Sequence, residues 1–276
     1  MIAFAGNSLL ARLALRDTDI DAASFTSIRL VSGALILCLL VTVRGRSSAP
    51  RVAGRGSWLS AMALFVYAAG FSFAYLGLAA GTGALLLFGA VQATMIGWGL
   101  WSGERLRPLQ WLGFVVAFAG LFGLLLPGVS APPLASSLLM LAAGIAWGVY
   151  SLRAKGAGDP TLVTTGNFTR AVPFTLVLSA LMGARLQLDG PGVGYAVASG
   201  AITSALGYAI WYMALPALKA ATAASVQLSV PVIAAIGGVL LLSEPLTLRL
   251  VLTGLAILGG IGLVIFEKQR LLKAPA

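Results

Sequence analysis

The sequence predicts an all-α polytopic membrane protein with ten transmembrane helices. Three observations carry that prediction. The 276-residue chain is 59% hydrophobic and only 9% charged, against roughly 25% charged residues in soluble domains. Its mean hydropathy is +0.98, and its apolar residues fall in runs close to the ~20 that a membrane helix needs. One hinge is also written twice. "GERLRPLQWLG" from Gly103 and "SEPLTLRLVLTG" from Ser243 place Glu104 and Glu244 140 positions apart, once in each half.

The elements follow in order. The first apolar segment, 1–15, opens without a basic leader, so no cleavable signal peptide is read. It is short: either its helix begins at the first residue or the natural start lies upstream, and a nine-span reading would drop it. The second segment, 22–43, ends at "RGRSSAPRVAGRG". The third and fourth, 57–78 and 81–102, are joined by the tight "AAGTG". The fifth, 108–127, follows the first hinge and stops at "PGVSAPP". The second set runs over 134–153, 161–184, 192–214, 220–242 and 246–266, broken by "KGAGDP", "DGPGVG", "LPALKAA" and the second hinge.

The formal charge of +10 is read by position. With a cytoplasmic N-terminus and ten spans, twelve of the 18 Lys and Arg face the cytoplasm and four face outward. That bias predicts cytoplasmic N- and C-termini. No basic cluster is interleaved with exposed aromatics, which argues against nucleic acid as a partner. The chain has no histidine and one cysteine, Cys38. The usual near-neutral acid–base group and the usual metal ligand are therefore missing, and no cofactor or enzyme chemistry is expected. The partners expected are a small-molecule substrate and the lipid bilayer.

Sliding one half over the other at an offset of 140 pairs Glu104 with Glu244, and an offset of 141 pairs Arg29 with Arg170. Five spans per half is odd, so the second copy enters the membrane upside down. The expected organisation is a single membrane domain of two inverted five-helix repeats, 1–128 and 129–276, an architecture that secondary transporters use for alternating access.

The run from Tyr212 to Ile265, "YMALPALKAATAASVQLSVPVIAAIGGVLLLSEPLTLRLVLTGLAILGGIGLVI", resembles the C-terminal signature of the drug/metabolite transporter superfamily, EamA type. In it a tight hairpin, a proline-bearing helix, a small residue–Glu-x-Leu hinge and a glycine-rich helix follow one another. The first copy, Ala74 to Leu126, departs from it: Val91 stands where Pro231 sits, and Gly6 stands where Trp147 does. Among members the chain looks most like bacterial amino-acid exporters, including the aromatic amino acid exporters of the YddG type. The resemblance implies a ten-helix basket around a central cavity in a bacterial inner membrane, exporting amino acids and related metabolites. Efflux of amphipathic drugs or organic cations is the alternative within the same fold.

Candidate site residues are polar or aromatic groups on inner helix faces. Tyr67, Phe71 and Tyr75 repeat at i, i+4 and i+8 on one face. Ser204, Tyr208, Trp211 and Tyr212 form a similar stripe in the eighth segment. These read as a cavity wall or as an interfacial belt, with Phe71 and Tyr208 the deeper pair. Gln92 and Gln227 lie in matching helices and could hold a substrate's carboxylate or amine, or bond a neighbouring helix. Asn7, Trp147 and Tyr150 occupy matching regions of the first and sixth segments.

Arg29 and Arg170 are the charges well inside spans, where charge is costly and usually faces a cavity or a partner. Inversion places Arg29 with Glu244 and Arg170 with Glu104, so two ion pairs between halves are expected to brace or gate the openings. All eight acids are read in or beside loops, leaving no buried proton relay. Pro231, near Gln227, is the expected hinge. The glycine-rich fifth and tenth helices are read as pairing within one chain or across a homodimer.

Overall fold

The structure, a computed structural model, describes residues 1–44, 56–128, 130–154, 157–214 and 226–273. Helices occupy all ten expected positions: α1 (Ile2–Asp17), α2 (Ala22–Arg44), α3 (Trp58–Tyr75), α4 (Ala80–Trp101), α5 (Pro108–Leu125), α6 (Leu134–Ala154) and α7 (Pro160–Met182). They continue as α8 (Gly190–Ala214), α9 (Ser229–Leu242) and α10 (Leu248–Lys273). Among the described residues, seven of these are long and apolar enough to cross a membrane; α1, α7 and α9 fall short. Helix α1 has 16 residues, and α7 carries a polar run through Thr161, Thr164, Thr165, Asn167, Thr169 and Arg170. The "LPALKAA" hairpin and the expected start of the ninth span lie outside the described residues.

Local chemistry sets the helix ends. Ser57 caps α3 by accepting the Ser60 amide at 3.2 Å. Asp159 caps α7 by accepting the amides of Thr161 and Leu162, with Pro160 at the first helical position, where its missing N–H costs nothing. Helix α9 ends at Ser243 in the left-handed region, φ 52°. Helix α10 runs past its expected end at 266 to Lys273. Glu267 therefore lies in a helix and is buried, which corrects the reading that every acid sits in or beside a loop.

Hydrogen bonds fix which ends lie together. At one end, Asp21 joins the start of α2 to the α7–α8 connection, and Arg249 of α10 donates to the Leu126 carbonyl after α5. At the other end, Arg153 Nε of α6 donates to Ser60 Oγ of α3 at 3.1 Å. Successive helices thus run up and down in alternation. Helices α3 and α4 pack on α6, α8 and α9 pack on α1, α2 packs on α7, and α5 packs on α10. The α5–α10 crossing depends on glycine. A Cβ on Gly113 would stand 2.5 Å from the Gly260 carbonyl, and one on Gly260 would stand 2.4 Å from the Gly113 carbonyl. The two backbones touch, as small-residue packing in membranes allows.

Large apolar side chains such as Leu35, Phe122, Leu181, Leu240 and Leu255 cover the outside, while Tyr67, Phe71, Tyr150 and Tyr208 are buried. That is the reverse of a water-soluble surface, and it suits hydrocarbon. The chain is a multi-pass membrane protein.

Asp21 is the tie most exposed to test. Burial works against its ionisation, but hydrogen bonds from Ser24, Gln187 and Ala23 together outweigh it, so the carboxyl titrates below the usual carboxylate range. A carboxyl depressed on folding adds stability that is complete above its unfolded pKa of about 3.9 and is lost as pH falls through the folded value. Thermal unfolding in detergent from pH 7 to pH 3 should show this acid loss, and Asp21→Asn, which keeps a capping oxygen but not the charge, should flatten it while lowering stability at neutral pH by less than about 1 kcal/mol.

Candidate functional site

A buried guanidinium lies at the centre of the helix packing. Arg29 is seven residues into α2, about 10 Å along the helix, and its exposure is 1%. Its Nη2 donates to the Tyr67 hydroxyl at 3.0 Å and its Nε to Ser204 Oγ at 3.2 Å. Its guanidinium carbon lies 5.2 Å from the centroid of the Tyr67 ring and 4.8 Å from that of Phe71, within cation–π range. Nη1 is buried with no hydrogen-bond partner among the described residues.

The Tyr67 oxygen is the node that joins Arg29 to α1 and α8. Asn7 Nδ2 of α1 donates to it at 3.3 Å, and Tyr208 Oη of α8 lies 3.5 Å away. Asn7 Oδ1 in turn accepts from Ser199 Oγ and from Thr203 Oγ1. Four helices, α1, α2, α3 and α8, thereby share one polar network in an apolar interior.

Helix α8 reaches this network because it widens. Over Ala198–Leu206 it takes the π form, a local distortion often found at functional sites. The widened stretch carries Ser199, Thr203 and Ser204 together. Gly200 within it presses on α2: a Cβ there would lie 2.1 Å from the Arg29 carbonyl oxygen. Glycine is what lets Ser204 come within hydrogen-bonding reach of Arg29.

Around the network stands an aromatic wall. Trp147 of α6 lies 4.8 Å from Tyr67, 4.9 Å from Tyr208 and 5.2 Å from Tyr150, by ring centroids. Phe4 of α1 lies 5.5 Å from Tyr208. Phe4, Tyr67, Phe71 and Trp147 border a narrow cavity of ≈ 10 Å³, about the space of one water. Phe4, Asn7, Tyr67, Phe71, Trp147 and Gln227 are among its lining residues.

The expected site residues divide accordingly. Tyr67, Phe71, Trp147 and Gln227 line this cavity, and Ser204 and Tyr208 lie one layer behind it. Gln92 is buried in α4 outside the lining, and its Nε2 has no hydrogen-bond partner among the described residues. Pro231 lies in the first turn of α9 as described, not in mid-helix, and the helical run at 226–227 is interrupted at Leu228. The carbonyl that Pro231 leaves without a helical donor is that of the cavity residue Gln227. Tyr75 is buried, not at a membrane belt, and donates to the Ala80 carbonyl at 3.2 Å.

The ion pair expected between Arg29 and Glu244 is not made. Arg29 lies too deep, while Glu244 sits at the helix ends and takes Arg12 instead, Nε to Oε1 at 3.1 Å. Glu244 Oε2 also accepts the amide of Ala80, the first residue of α4, at 2.8 Å. Arg12 Nη1 donates to the Tyr75 carbonyl at the end of α3, 2.9 Å away. One carboxylate thus joins α1, the α3–α4 turn and the α9–α10 hinge. Arg170 donates to the Gly166 carbonyl of its own helix at 3.0 Å. Glu104 is exposed, with its side chain folded beside Gly99.

By sequence Asn7 was only a residue in the region of α1 that matches Trp147 and Tyr150, and Phe4, Arg12, Ser199 and Thr203 were not among the site candidates. A signal for two of them existed. Ser199 and Thr203 stand four residues apart, on one helix face, in an otherwise apolar run.

Residues 134–266 match the EamA-like transporter family. Over 265 residues the chain is 58% identical to an uncharacterized protein of Pseudomonas aeruginosa, an alignment covering 96% of this chain and 91% of that one. It is 30% identical over 162 residues to the threonine/homoserine exporter RhtA of Escherichia coli, covering 56% of this chain and 55% of that exporter. The exporter of the same name from Salmonella typhimurium is 32% identical over 147 residues, covering 51% and 49%. A protein crystal structure superposes with a TM-score of 0.67 at 18% identity over 98% of both chains, a likeness of fold alone.

Tyr67→Phe deletes the oxygen on which Arg29 and Asn7 converge and leaves two buried donors unpaired. It should lower unfolding stability by about 2–4 kcal/mol, read by thermal or denaturant unfolding in detergent. Tyr208→Phe removes only the longest contact of the node and should cost under about 1 kcal/mol.

Proposed function

Because the chain belongs to the EamA-like transporter family, we propose that it exports amino acids and related small metabolites across the bacterial inner membrane by alternating access. Membership makes it a transporter rather than an enzyme. The narrower reading rests on one observation above the others: a polar node of Asn7, Tyr67, Arg29 and Ser204 buried beside an aromatic-walled cavity. Hydrogen-bonding groups in a membrane interior suit the polar end of a small zwitterion. The rings of Phe4, Tyr67, Phe71 and Trp147, which line the cavity, suit its side chain, aromatic ones included. The relationship to threonine/homoserine exporters supports the same substrate class.

Two inverted five-helix repeats, 1–128 and 129–276, account for the reciprocal packing. Helix α6 holds α3 and α4 as α1 holds α8 and α9, while α2–α7 and α5–α10 are self-matched pairs. Both termini lie on the cytoplasmic side by the distribution of Lys and Arg. The Arg12–Glu244–Ala80 contact closes one end and must break when that end opens; Arg170 and Glu104 mark the other half's equivalents of Arg29 and Glu244. Pro231 and the interrupted turn before it supply the hinge beside Gln227.

Uptake of labelled Phe, Trp, Thr, Lys and Glu into proteoliposomes, with and without a pH gradient, tests the reading. Saturable uptake of Thr and of at least one aromatic amino acid is expected, unchanged by the gradient. Uptake of an organic cation such as tetraphenylphosphonium, with no amino acid entering, would replace amino-acid export with drug efflux.

A further inference from the structure

We propose that Arg29 is the carboxylate-recognition group of the transport site, and that the edge formed by Nη1 and Nη2 takes the carboxylate of the solute. The inference rests on the export reading and adds the chemical feature that every solute must share.

A guanidinium stays protonated at any working pH, so Arg29 carries its charge into the protein interior. Glu244 pairs with Arg12, and Asp17 with Arg16. Neither involves Arg29. Its contacts are the Tyr67 and Tyr208 hydroxyls, a serine hydroxyl and two aromatic faces, all neutral. Buried arginines that serve only to hold a fold are normally paired with carboxylates, because an unpaired charge away from water is strongly disfavoured. Among the described residues, no carboxylate side chain bonds Arg29.

The guanidinium offers a particular edge. Carboxylates bind guanidinium best through two parallel N–H···O bonds along one edge of the plane. Nε is held by Ser204 at 3.2 Å. Nη2 meets the neutral Tyr67 hydroxyl, and Nη1 has no hydrogen-bond partner among the described residues. A carboxylate would place one oxygen on Nη1 and the other on Nη2, displacing the Tyr67 oxygen. That oxygen has Asn7 and Tyr208 within reach when released.

The solute has a way in. Tyr67 and Phe71, the rings stacked on the guanidinium, are themselves part of the cavity wall. Arg29 is one ring layer from the space where the rest of the solute would lie. Rotation of the two rings opens that layer, and the polar partners of Tyr67 already connect the cavity side to the charge. The same arrangement disfavours an organic cation, which would meet a fixed positive charge in a medium that screens poorly.

The test uses the full chain in proteoliposomes loaded with labelled L-phenylalanine or L-threonine, competed by a matched set. The set comprises the amino acid, its amide, its decarboxylated amine and the corresponding acid lacking the amine. In the wild type the amide and the amine should compete about thirty-fold more weakly than the amino acid, the amount a charge-assisted pair contributes. Arg29→Met should reduce that discrimination to within about three-fold, and Arg29→Lys, which keeps the charge but not the two-pronged edge, should retain an intermediate part of it. A brace without a recognition role would leave the acid-to-amide ratio unchanged in all three proteins.

Should Arg29→Met fail to fold, the wild-type ratio still decides: amide and amino acid competing equally overturns the assignment. Amino acids carried without preference over their amides would sink the role of Arg29 and leave the export reading standing. Amine-free acids carried while amino acids are not would uphold Arg29 and sink amino-acid export. Transport of the amines alone would overturn both.

Discussion

A positive charge buried without a negative one is the constraint around which this interior is arranged. Membrane segments exclude charge unless something holds it, and Arg29 is held by neutral groups drawn from several helices. Tyr67 has to present its oxygen from α3, Asn7 has to share that oxygen from α1, and α8 has to deliver Ser204. The last requirement reaches furthest into the fold. Helix α8 widens into a π stretch and presses Gly200 on the α2 backbone, which brings Ser199, Thr203 and Ser204 onto the network. Each local irregularity has a use in keeping the guanidinium in place.

The second organising feature lies at the helix ends. Glu244 meets the Arg12 side chain and the first amide of α4, so a single carboxylate ties three parts of the chain at one membrane face. Its carboxylate also suits the positive end of the α4 dipole. On the alternating-access reading this contact is made in one state and broken in the other, while the Arg29 network deeper down stays with the solute. Two kinds of charge then do two kinds of work: an arginine–glutamate pair holds a closure, and an unpaired arginine awaits an anion.

Much of the fold was legible in the sequence because membrane helices declare themselves by apolar length and by their breaks. The ten positions, the duplicated hinge at Glu104 and Glu244 and the i, i+4, i+8 stripe of Tyr67, Phe71 and Tyr75 were all readable, since each is a local pattern. What joined residues across helices was not. Depth alone suggested Arg29 for Glu244, yet Arg12, one turn from the end of α1, reaches it instead. Asn7 offered one polar side chain in an apolar run and no sign that Ser199 and Thr203 lay opposite. The π stretch had no signature either: "ASGAITSAL" reads as an ordinary small-residue helix, and its distortion reflects contacts with α1 and α2. Glu267 was misplaced for a simpler reason, since apolarity stops before the helix does.

The central claim is that the aromatic-walled cavity beside Arg29 is the place where solute is held and from which it leaves on the far side. A single cysteine at Leu87, which lines that cavity, in a Cys38→Ser background tests it most directly. Membrane-impermeant thiol reagents would be applied to right-side-out and to inverted vesicles, with and without L-threonine or L-phenylalanine. The account predicts labelling from both faces, slowed by the transported amino acid. Labelling from one face alone, or from neither, at a rate indifferent to the amino acid, would contradict it.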